Sequence, residues 1–263
     1  MKINQYPIGI FDSGIGGLTV VKEVMKLLPN ENIVYLGDTA HLPYGTKSEK
    51  TIIKLAISNL LFLLEKKVKL VIIACNSTSA VALPRISGFF KLPVLGVVKA
   101  GVDAVLREKT KRIGIVGTPA TIRSSVYQNL LRQSIPGVKI TAKSCPLFVP
   151  LAEEMWINFP VTEETAKIYL KGFKNRVDSL ILGCTHYPLL KKVIARVLPG
   201  IGLIDSAEVI AEKTKKILSE KGILNKSGGG KLSVYLTDYS PHFRGLIRMI
   251  LKKDIVPKLI ENV

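Results

Sequence analysis

The sequence predicts an α/β protein made of two similar parallel-sheet domains related by pseudo-symmetry. Short aliphatic runs alternate with amphipathic segments along the chain, which is the pattern of βαβ units and a mostly parallel sheet. Several segments of the first part recur, in the same order, in the second. The 263 residues, 47% of them hydrophobic, are enough to bury one large core or two smaller ones.

The aliphatic runs predict the strands, and the amphipathic segments between them predict helices. Strands are predicted at residues 8–12, 32–38, 70–74, 93–98, 112–117, 139–144, 179–183, 201–205 and 232–238. Helices are predicted at residues 17–28, 48–66, 121–133, 162–174, 206–221 and 241–251. The last of these opens with Ser240 and Pro241, a good N-cap followed by a good first helical residue.

An internal repeat supports the division into two halves. "IGIFDSG" (8–14) recurs as "IGIVGTP" (113–119), and "VKLVIIACNS" (68–77) recurs as "VDSLILGCTH" (177–186), with nearly the same shift along the chain. Aliphatic residues alone would make any two parallel strands look alike. The cysteine at the same point of both copies is therefore what favours two halves of similar topology.

Charge and cysteine content limit the function classes. The chain has 38 basic and 20 acidic residues, a net charge of +18. The basic residues are spread over amphipathic segments, with no basic tail and no aromatic-studded basic motif, so a solvated surface is favoured over binding to nucleic acid. The three cysteines are far apart and form no CxxC pair, which argues against a disulfide framework or a structural zinc site and fits a reducing compartment.

The sequence also predicts a soluble, cytoplasmic protein. The N-terminal "MKINQYPIGIFDSG" lacks the apolar core of a signal peptide. The longest apolar stretch, residues 60–64, ends at "EKK" and is too short to span a bilayer. We expect no N-terminal extension ahead of the first strand.

Cys75 and Cys184 are the candidate reactive groups, because each follows a predicted buried strand and precedes polar residues. Ligands of open α/β sheets bind outside the carboxyl ends of the strands, so two facing halves would bring both thiols to one cleft. A helix N-terminus after each strand would favour thiolate. Lowering a thiol pKa from about 8.5 to about 7 takes roughly 2 kcal/mol.

Other polar residues stand near the predicted strand ends. His186 is a candidate proton relay beside Cys184, since histidine titrates in the working range. Asp12 ends the first strand, and it precedes a glycine loop spaced GxGG. That spacing and the charge of Asp12 argue against a dinucleotide site, so the loop N–H groups are predicted to receive a carboxylate. "GDTAHLPYGTKS" (37–48) and "GTPATIRSS" (117–125) are predicted loops.

The combination of motifs resembles the glutamate racemases of the aspartate/glutamate racemase superfamily. The resemblance rests on "IGIFDSGIGGLTV", "YLGDTAHLPYGTKS", "ACNSTSA", "GTPATIRS", "CPLFVPLAEE" and "LGCTHYPLL", which run in the family's order from residue 8 to residue 190. "LIDSAE" and "YLTDYSPHF" extend it towards the C-terminus. The resemblance implies cofactor-independent interconversion of L- and D-glutamate, which supplies D-glutamate for peptidoglycan.

The resemblance also implies roles for individual residues. Cys75 is the thiol that takes the proton from D-glutamate, and Cys184 is the one that takes it from L-glutamate. Asp12 and His186 assist their respective cysteines, and Glu153 is a carboxylate near the second thiol. No metal is implied. The implied substrate contacts are Asp12, Ser13, Tyr44, Gly45, Asn76, Ser77, Thr185 and His186. Ser77 stands where the family more often has threonine, so the hydroxyl is retained.

The residues support this chemistry independently of the resemblance. Racemisation needs a base on one face of the α-carbon and an acid on the other, and two equivalent thiols from two similar halves meet that need. Flanking Ser, Thr and Asn residues would stabilise the substrate carboxylate. We predict a first domain of residues 1–97 plus 208–263 and a second of 98–207, with the active site between them, and a homodimer.

Three alternatives remain open at this level. One is a relative that acts on aspartate or a hydantoin. Another is a basic module that binds nucleic acid, which the charge of +18 allows. The third is a dinucleotide-dependent enzyme, which would show a change in NAD absorbance. We predict a small-molecule substrate, glutamate, and no cofactor, no nucleic acid and no membrane partner.

Overall fold

The computed structural model describes residues 2–260 and contains two parallel sheets. The strands are β1 (Ile8–Asp12), β2 (Ile33–Gly37), β3 (Leu70–Ile73), β4 (Val94–Gly96), β5 (Arg112–Gly117), β6 (Lys139–Ser144), β7 (Ser179–Gly183), β8 (Gly202–Ile204), β9 (Leu232–Leu236) and β10 (Lys258–Leu259). The first sheet has the order β10-β9-β2-β1-β3-β4 and the second β6-β5-β7-β8. All pairings are parallel. The predicted fold class is confirmed.

The two sheets share one topology. Strands β2-β1-β3-β4 of the first sheet have the same order as β6-β5-β7-β8 of the second. The register agrees as well: Ile8 lies opposite Leu70 in the first sheet, and Ile113 lies opposite Ser179 in the second. These are the positions that the sequence repeat equates. The residues that follow β3 and β7 therefore occupy equivalent places at the carboxyl edges of the two sheets.

Helices connect the strands and cover both sheets. They are α1 (Leu18–Leu27), α2 (Glu49–Glu65), α3 (Asn76–Val81), α4 (Leu83–Ile86), α5 (Val97–Glu108), α6 (Pro119–Arg123), α7 (Val126–Ser134), α8 (Phe148–Glu153), α9 (Pro160–Leu170), α10 (Lys191–Val197), α11 (Ala207–Glu220) and α12 (Pro241–Leu251). Among the described residues, no helix is long and apolar enough to cross a membrane. Strands β1, β2 and β3 are buried along their whole length, as expected when helices cover both faces of a parallel sheet.

The predicted helix at 121–133 is wrong as a single element. Helix α6 begins two residues earlier, at Pro119, and is capped by Thr118, so most of the predicted loop at 117–125 is helical. The Ser124 side chain donates to the Thr121 carbonyl and accepts from the Val126 N–H. Ser125 then adopts a left-handed backbone, with φ of 55°. A serine side chain that bonds its neighbouring backbone competes with the helix, and the chain therefore turns between α6 and α7.

Helices α5 and α11 join the two sheets through one hydrophobic core. The core includes residues of the first sheet, such as Ile10 and Ile72, and residues of the second, such as Ile115 and Ile181. Val97 and Val105 of α5, with Val209 and Ile210 of α11, belong to the same cluster. Because core side chains are close-packed, this shared core holds the carboxyl edges of the two sheets in a defined relation.

The C-terminal part of the chain returns to the first sheet. Strand β9 pairs with β2, and Leu236 lies opposite Gly37. The Ser240 side chain accepts from the His242 N–H and begins α12, with Pro241 as the first helical residue, as predicted. The apolar face of α12 then packs into the same core through Leu246 and Ile247.

The domain boundaries proposed from the sequence stay a prediction. We propose residues 1–97 plus 208–263 as one domain and 98–207 as the other. Strands β1 to β4, β9 and β10 lie in the first range and β5 to β8 in the second, which supports the division. Residues 1 and 261–263 of that proposal lie outside the described residues.

Candidate active site

The cysteines that follow β3 and β7 line one small cavity between the carboxyl edges of the two sheets. The cavity has a volume of about 20 Å³, which is room for about one water molecule. An amino acid is larger, so the walls must separate for one to bind. The residues that line the cavity are Ser13, Leu42, Pro43, Tyr44, Gly45, Cys75, Asn76, Ser77, Thr118, Val149, Cys184, Thr185 and His186.

Cys75 is the N-cap residue of α3, as expected for a thiol at the top of the sheet. Its environment nevertheless raises the pKa of the thiol, whereas the sequence predicted that a helix N-terminus would lower it. Burial, and then the nearby charge of Asp12, raise the pKa of the Cys75 thiol to about 11, although contacts with Ser13 and Thr78 favour the thiolate. A six-residue helix terminus does not overcome desolvation at this depth. Cys75 is therefore a neutral thiol in this structure.

Asp12 lies behind the cavity wall and is fully buried. Its Oδ2 accepts a hydrogen bond from the Gly14 N–H at 3.1 Å, and its Oδ1 accepts one from the Thr185 hydroxyl at 3.3 Å. Burial raises the pKa of Asp12, although the charge of His186 and bonds from the loop N–H groups act against it. The loop N–H groups of Gly14 and Gly17 thus serve the protein's own carboxylate. The prediction that this loop receives a ligand carboxylate is wrong for these two groups.

His186 lies between the second thiol and a carboxylate. Its Nδ1 is 3.8 Å from Cys184 Sγ, and its Nε2 is 3.0 Å from Glu153 Oε1. The second contact is within ion-pairing distance, but no aligned hydrogen bond joins the two atoms. Burial acts to lower the pKa of His186, and the contacts with Cys184 and Glu153 outweigh it and raise the pKa well above the usual value. These contacts therefore favour the imidazolium form of the ring.

No α-helix begins directly after Cys184, so the predicted helix dipole is absent on this side. The chain continues through Thr185 and His186 into a short 3₁₀ helix, Tyr187–Leu190. The positive charge near this sulfur comes from the His186 side chain instead. A cation close to a thiol stabilises the thiolate, so Cys184 and Cys75 have different electrostatic environments.

Tyr44 lines the cavity, but its hydroxyl is already bonded. It donates to Asp38 Oδ2 and accepts from the Asn59 side chain at 3.0 Å. The other oxygen of Asp38 accepts from the Thr237 hydroxyl at 2.9 Å and lies 2.8 Å from His41 Nδ1. Only the ring or backbone of Tyr44 is then available to a ligand. Asp38 thus connects the Tyr44 side of the cavity to Thr237, the residue that follows β9.

Hydroxyls and amides from both halves also meet at the cavity. Ser77 Oγ lies 2.8 Å from Thr118 Oγ1, and Asn76 Oδ1 accepts from the Tyr127 hydroxyl at 2.8 Å. A Cβ added at Gly45 would lie 2.5 Å from Thr118 Cβ. Glycine thus allows the Tyr44–Thr46 turn to approach α6 closely.

The structure brings most of the predicted residues to the cavity and adds others. Asp12 and Glu153 do not line it, and each instead contacts a residue that does. Sequence reasoning missed Leu42, Pro43 and Val149, and it placed Thr118 only within the predicted loop at 117–125. Leu42, Pro43 and Val149 carry no polar group that would have marked them. In the described part of the chain, no cluster of His, Cys, Asp and Glu is arranged to hold a metal ion.

Comparisons with known proteins agree with this architecture. A family described as Asp/Glu/Hydantoin racemase matches residues 17–214. The glutamate racemase of Aquifex aeolicus is 46% identical over 97% of this chain and 98% of that protein. The crystal structure of glutamate racemase from Francisella tularensis in complex with D-glutamate superposes with a TM-score of 0.93, at 39% identity and covering 98% of each chain. That of Thermus thermophilus, in complex with β-chloro-D-alanine, has a TM-score of 0.90, at 39% identity, covering 99% of this chain and 98% of that one.

Two parallel α/β halves with a thiol from each at one interfacial cavity define an amino-acid racemase, an isomerase. The matched range covers most of the chain, and the similarity to the relatives extends over nearly their whole length. The chain belongs to the Asp/Glu/Hydantoin racemase family.

Gly16→Ala is expected to impair the site while leaving the fold intact. A Cβ at this position would lie 2.6 Å from Thr185 Oγ1 and 2.7 Å from the His186 ring, so these side chains or the glycine loop must shift. We expect a loss of kcat of at least about tenfold, since a small misplacement of a reacting group has this effect. Gly88→Ala is the matched control, because nothing lies within 4 Å of a Cβ there. Equal activity of the two variants, measured by circular dichroism of glutamate, would refute this expectation.

The two site thiols should react at different rates with iodoacetamide in the substrate-free protein. Cys75 and Cys184 are 5% and 6% exposed, so access favours neither. With its pKa raised to about 11, Cys75 is roughly 0.1% thiolate at pH 8, and its rate should rise about tenfold per pH unit to pH 10. Cys184, beside the imidazolium, should react faster at pH 8. Peptide mass spectrometry gives both rates, and faster labelling of Cys75 at pH 8 would contradict the assigned electrostatics.

Proposed function

We propose that this chain interconverts L- and D-glutamate with Cys75 and Cys184 as its two acid/base groups, and that it needs no cofactor. The observation that carries the proposal is the convergence of both thiols, one from each half, on a single cavity. The glutamate racemases that match the chain over nearly its whole length support glutamate as the substrate. The proposed product, D-glutamate, serves peptidoglycan synthesis, and we propose the cytoplasm as the location.

The protonation states suggest how a turnover begins. Cys75 is a neutral thiol with a raised pKa, and Cys184 lies 3.8 Å from the imidazolium of His186. A thiolate at Cys184 would take the α-hydrogen of L-glutamate as a proton. The Cys75 thiol would then give its proton to the opposite face of the α-carbon, which yields D-glutamate. The reverse reaction starts with a thiolate at Cys75 and a thiol at Cys184.

Neutral donors are proposed to hold the substrate carboxylates. Hydroxyls of Ser13, Ser77 and Thr118 line the cavity, whereas the Thr185 hydroxyl already donates to Asp12, which leaves its backbone N–H for a ligand. The Asn76 amide uses its oxygen for Tyr127, which directs its N–H groups to other partners. Such preorganised donors stabilise the negative charge that develops when the α-hydrogen is removed.

The lining residues also bear on cofactor chemistry. Among the described residues, no lysine lines the cavity. No side chain there is suited to hold pyridoxal phosphate as a Schiff base. In this proposal the carbanion is therefore stabilised by hydrogen bonds alone.

Replacing either thiol should abolish racemisation. Cys75→Ala and Cys184→Ala each remove the acid or base from one face, so turnover should fall by at least about 10³-fold. Cys145→Ala is the control: this thiol is buried and does not line the cavity, so turnover should persist although about 1–2 kcal/mol of stability is lost. The measurements are polarimetry and solvent deuterium incorporation into each enantiomer. Near-normal turnover in either site variant would end the two-thiol scheme.

The same assay tests the substrate. L-aspartate and a 5-substituted hydantoin are offered beside L-glutamate at equal concentration, and only glutamate should be racemised and gain deuterium. Turnover of aspartate without turnover of glutamate would replace the proposed substrate and leave the thiol chemistry standing.

We further propose that the chain forms a homodimer through an aromatic patch, defined as Leu147, Met155, Trp156, Phe159 and Val161. All five side chains are exposed, and the rings of Trp156 and Phe159 stack. Exposed apolar patches of this kind mark interaction surfaces. The patch lies within residues 144–166, which contain no lysine or arginine. Two copies with net charge +18 approach with least repulsion on such a segment.

Trp156→Lys is expected to weaken the dimer, because it places a charge in the aromatic patch. Leu61→Lys is the matched control, since Leu61 is a similarly exposed apolar residue on α2, outside the patch. Sedimentation equilibrium should show at least a tenfold higher dimer dissociation constant for Trp156→Lys alone. A wild-type protein that is monomeric at high micromolar concentration, or equal dissociation constants for both variants, would refute this interface.

A further inference from the structure

Helix α12 reaches from the first half of the molecule to the helix that carries Glu153. Most of α12 packs into the core that it shares with the first sheet. In its first turn, however, His242 Nε2 makes a hydrogen bond with the backbone carbonyl of Glu153, the last residue of α8. A carbonyl oxygen can only accept, so Nε2 of His242 carries the proton.

This bond satisfies a group that the short helix cannot satisfy by itself. The last carbonyls of an α-helix have no donor within the helix, and α8 is six residues long. His242 supplies a donor to the last of them. The backbone position of Glu153 is thus set by a side chain from the other end of the sequence.

A second contact joins the same two segments. Met155, just after α8, has a left-handed backbone with φ of 57°. Its side chain packs against α12, where a Cβ added at Gly245 would lie 3.5 Å from Met155 Cε. The turn that ends α8 is therefore attached to α12 at two points.

From Glu153 the contacts continue to the cavity. Glu153 Oε1 lies 3.0 Å from His186 Nε2, and His186 Nδ1 lies 3.8 Å from Cys184 Sγ. Since no aligned hydrogen bond joins Glu153 and His186, their pairing depends on where the backbone holds the carboxylate. A shift of the α8 terminus would change the distance between the carboxylate and the imidazolium.

We propose that His242 is a positioning residue for the Cys184 side of the site. It holds Glu153, which holds the His186 imidazolium beside the second thiol. The inference rests on the proposed two-thiol function, and it assigns a role in one of the two proton transfers to a residue that does not touch the cavity.

Substitutions of His242 distinguish the effect of its hydrogen bond from the effect of the shape of its ring. His242→Gln keeps an N–H donor near the place of Nε2, whereas His242→Asn places its amide short of it, and His242→Phe keeps a ring without a donor. Arg244→Gln is the control, because Arg244 lies on the same helix and its exposed ion pair with Asp254 involves no residue of α8. We expect kcat to fall about tenfold in the Phe and Asn variants and by less than threefold in the Gln and control variants.

Isotope effects show which thiol is affected. With L-glutamate deuterated at the α-carbon, the primary effect on kcat/KM should rise in the Phe and Asn variants, since proton removal by Cys184 becomes more rate-limiting. With α-deuterated D-glutamate the primary isotope effect on kcat/KM should fall towards one, because proton removal by Cys75 then limits the rate less. A general loss of stability would lower the active fraction and leave both effects unchanged.

Several outcomes overturn the inference. Wild-type kcat and isotope effects in His242→Phe would do so, as would a Gln variant as impaired as the Asn variant. Where the Phe variant does not fold, as judged by circular dichroism, the Gln and Asn pair decides in the same way. If Cys184→Ala is inactive and the His242 variants are normal, only this inference fails. If Cys184→Ala is active, the proposed function fails first.

Discussion

The buried imidazolium of His186 is the interaction on which the rest of the site depends. Placing a cation in a water-poor interior costs several kcal/mol unless it is compensated. Here Cys184 lies on one side of the ring and Glu153 on the other, 3.8 and 3.0 Å away, and together they raise the pKa of His186 despite its burial. The same arrangement supplies the positive charge that a thiolate at Cys184 requires.

The two thiols are equivalent in topology and different in electrostatics. Both follow the third strand of a sheet with the same strand order. Burial and the nearby charge of Asp12 raise the pKa of Cys75, whereas Cys184 lies next to the cation of His186. A neutral thiol at Cys75 and a thiol beside a cation at Cys184 are thus presented to one cavity, as the proposed two-base scheme requires. The duplicated fold supplies the two thiols, and the charged residues beside them give each thiol a different electrostatic environment.

The site is assembled from segments that are distant in the chain, and contacts between these segments enclose the cavity. The shared core of α5 and α11 sets how the two sheets face each other. Side-chain hydrogen bonds join Thr185 to Asp12, Ser77 to Thr118, and Thr237, near the C-terminus, to Asp38. These contacts leave a cavity of only about 20 Å³. A cavity of this size must open before an amino acid can bind.

The sequence by itself determined the fold class, the positions of strands β1 to β9 and the two cysteines that meet at the cavity. Uninterrupted aliphatic runs are a strong signal of buried parallel strands, and the cysteine in both copies of the repeat marked equivalent strand ends. The family resemblance added Asp12, His186 and Glu153 as residues near those thiols. Short helices such as α3 and α8 escaped the analysis because a single turn or two carries too little periodicity to recognise.

Only the tertiary structure decided the charges at the site and the partners across it. A pKa depends on burial and on charges within a few ångströms, and the raised pKa of Cys75 therefore contradicts the lowering that its position at a helix start suggested. Likewise, the contact of His242 with Glu153 joins residues far apart in sequence. Periodicity and local motifs describe neighbours along the chain. Desolvation and close approach between distant segments exist only once the two halves have packed together.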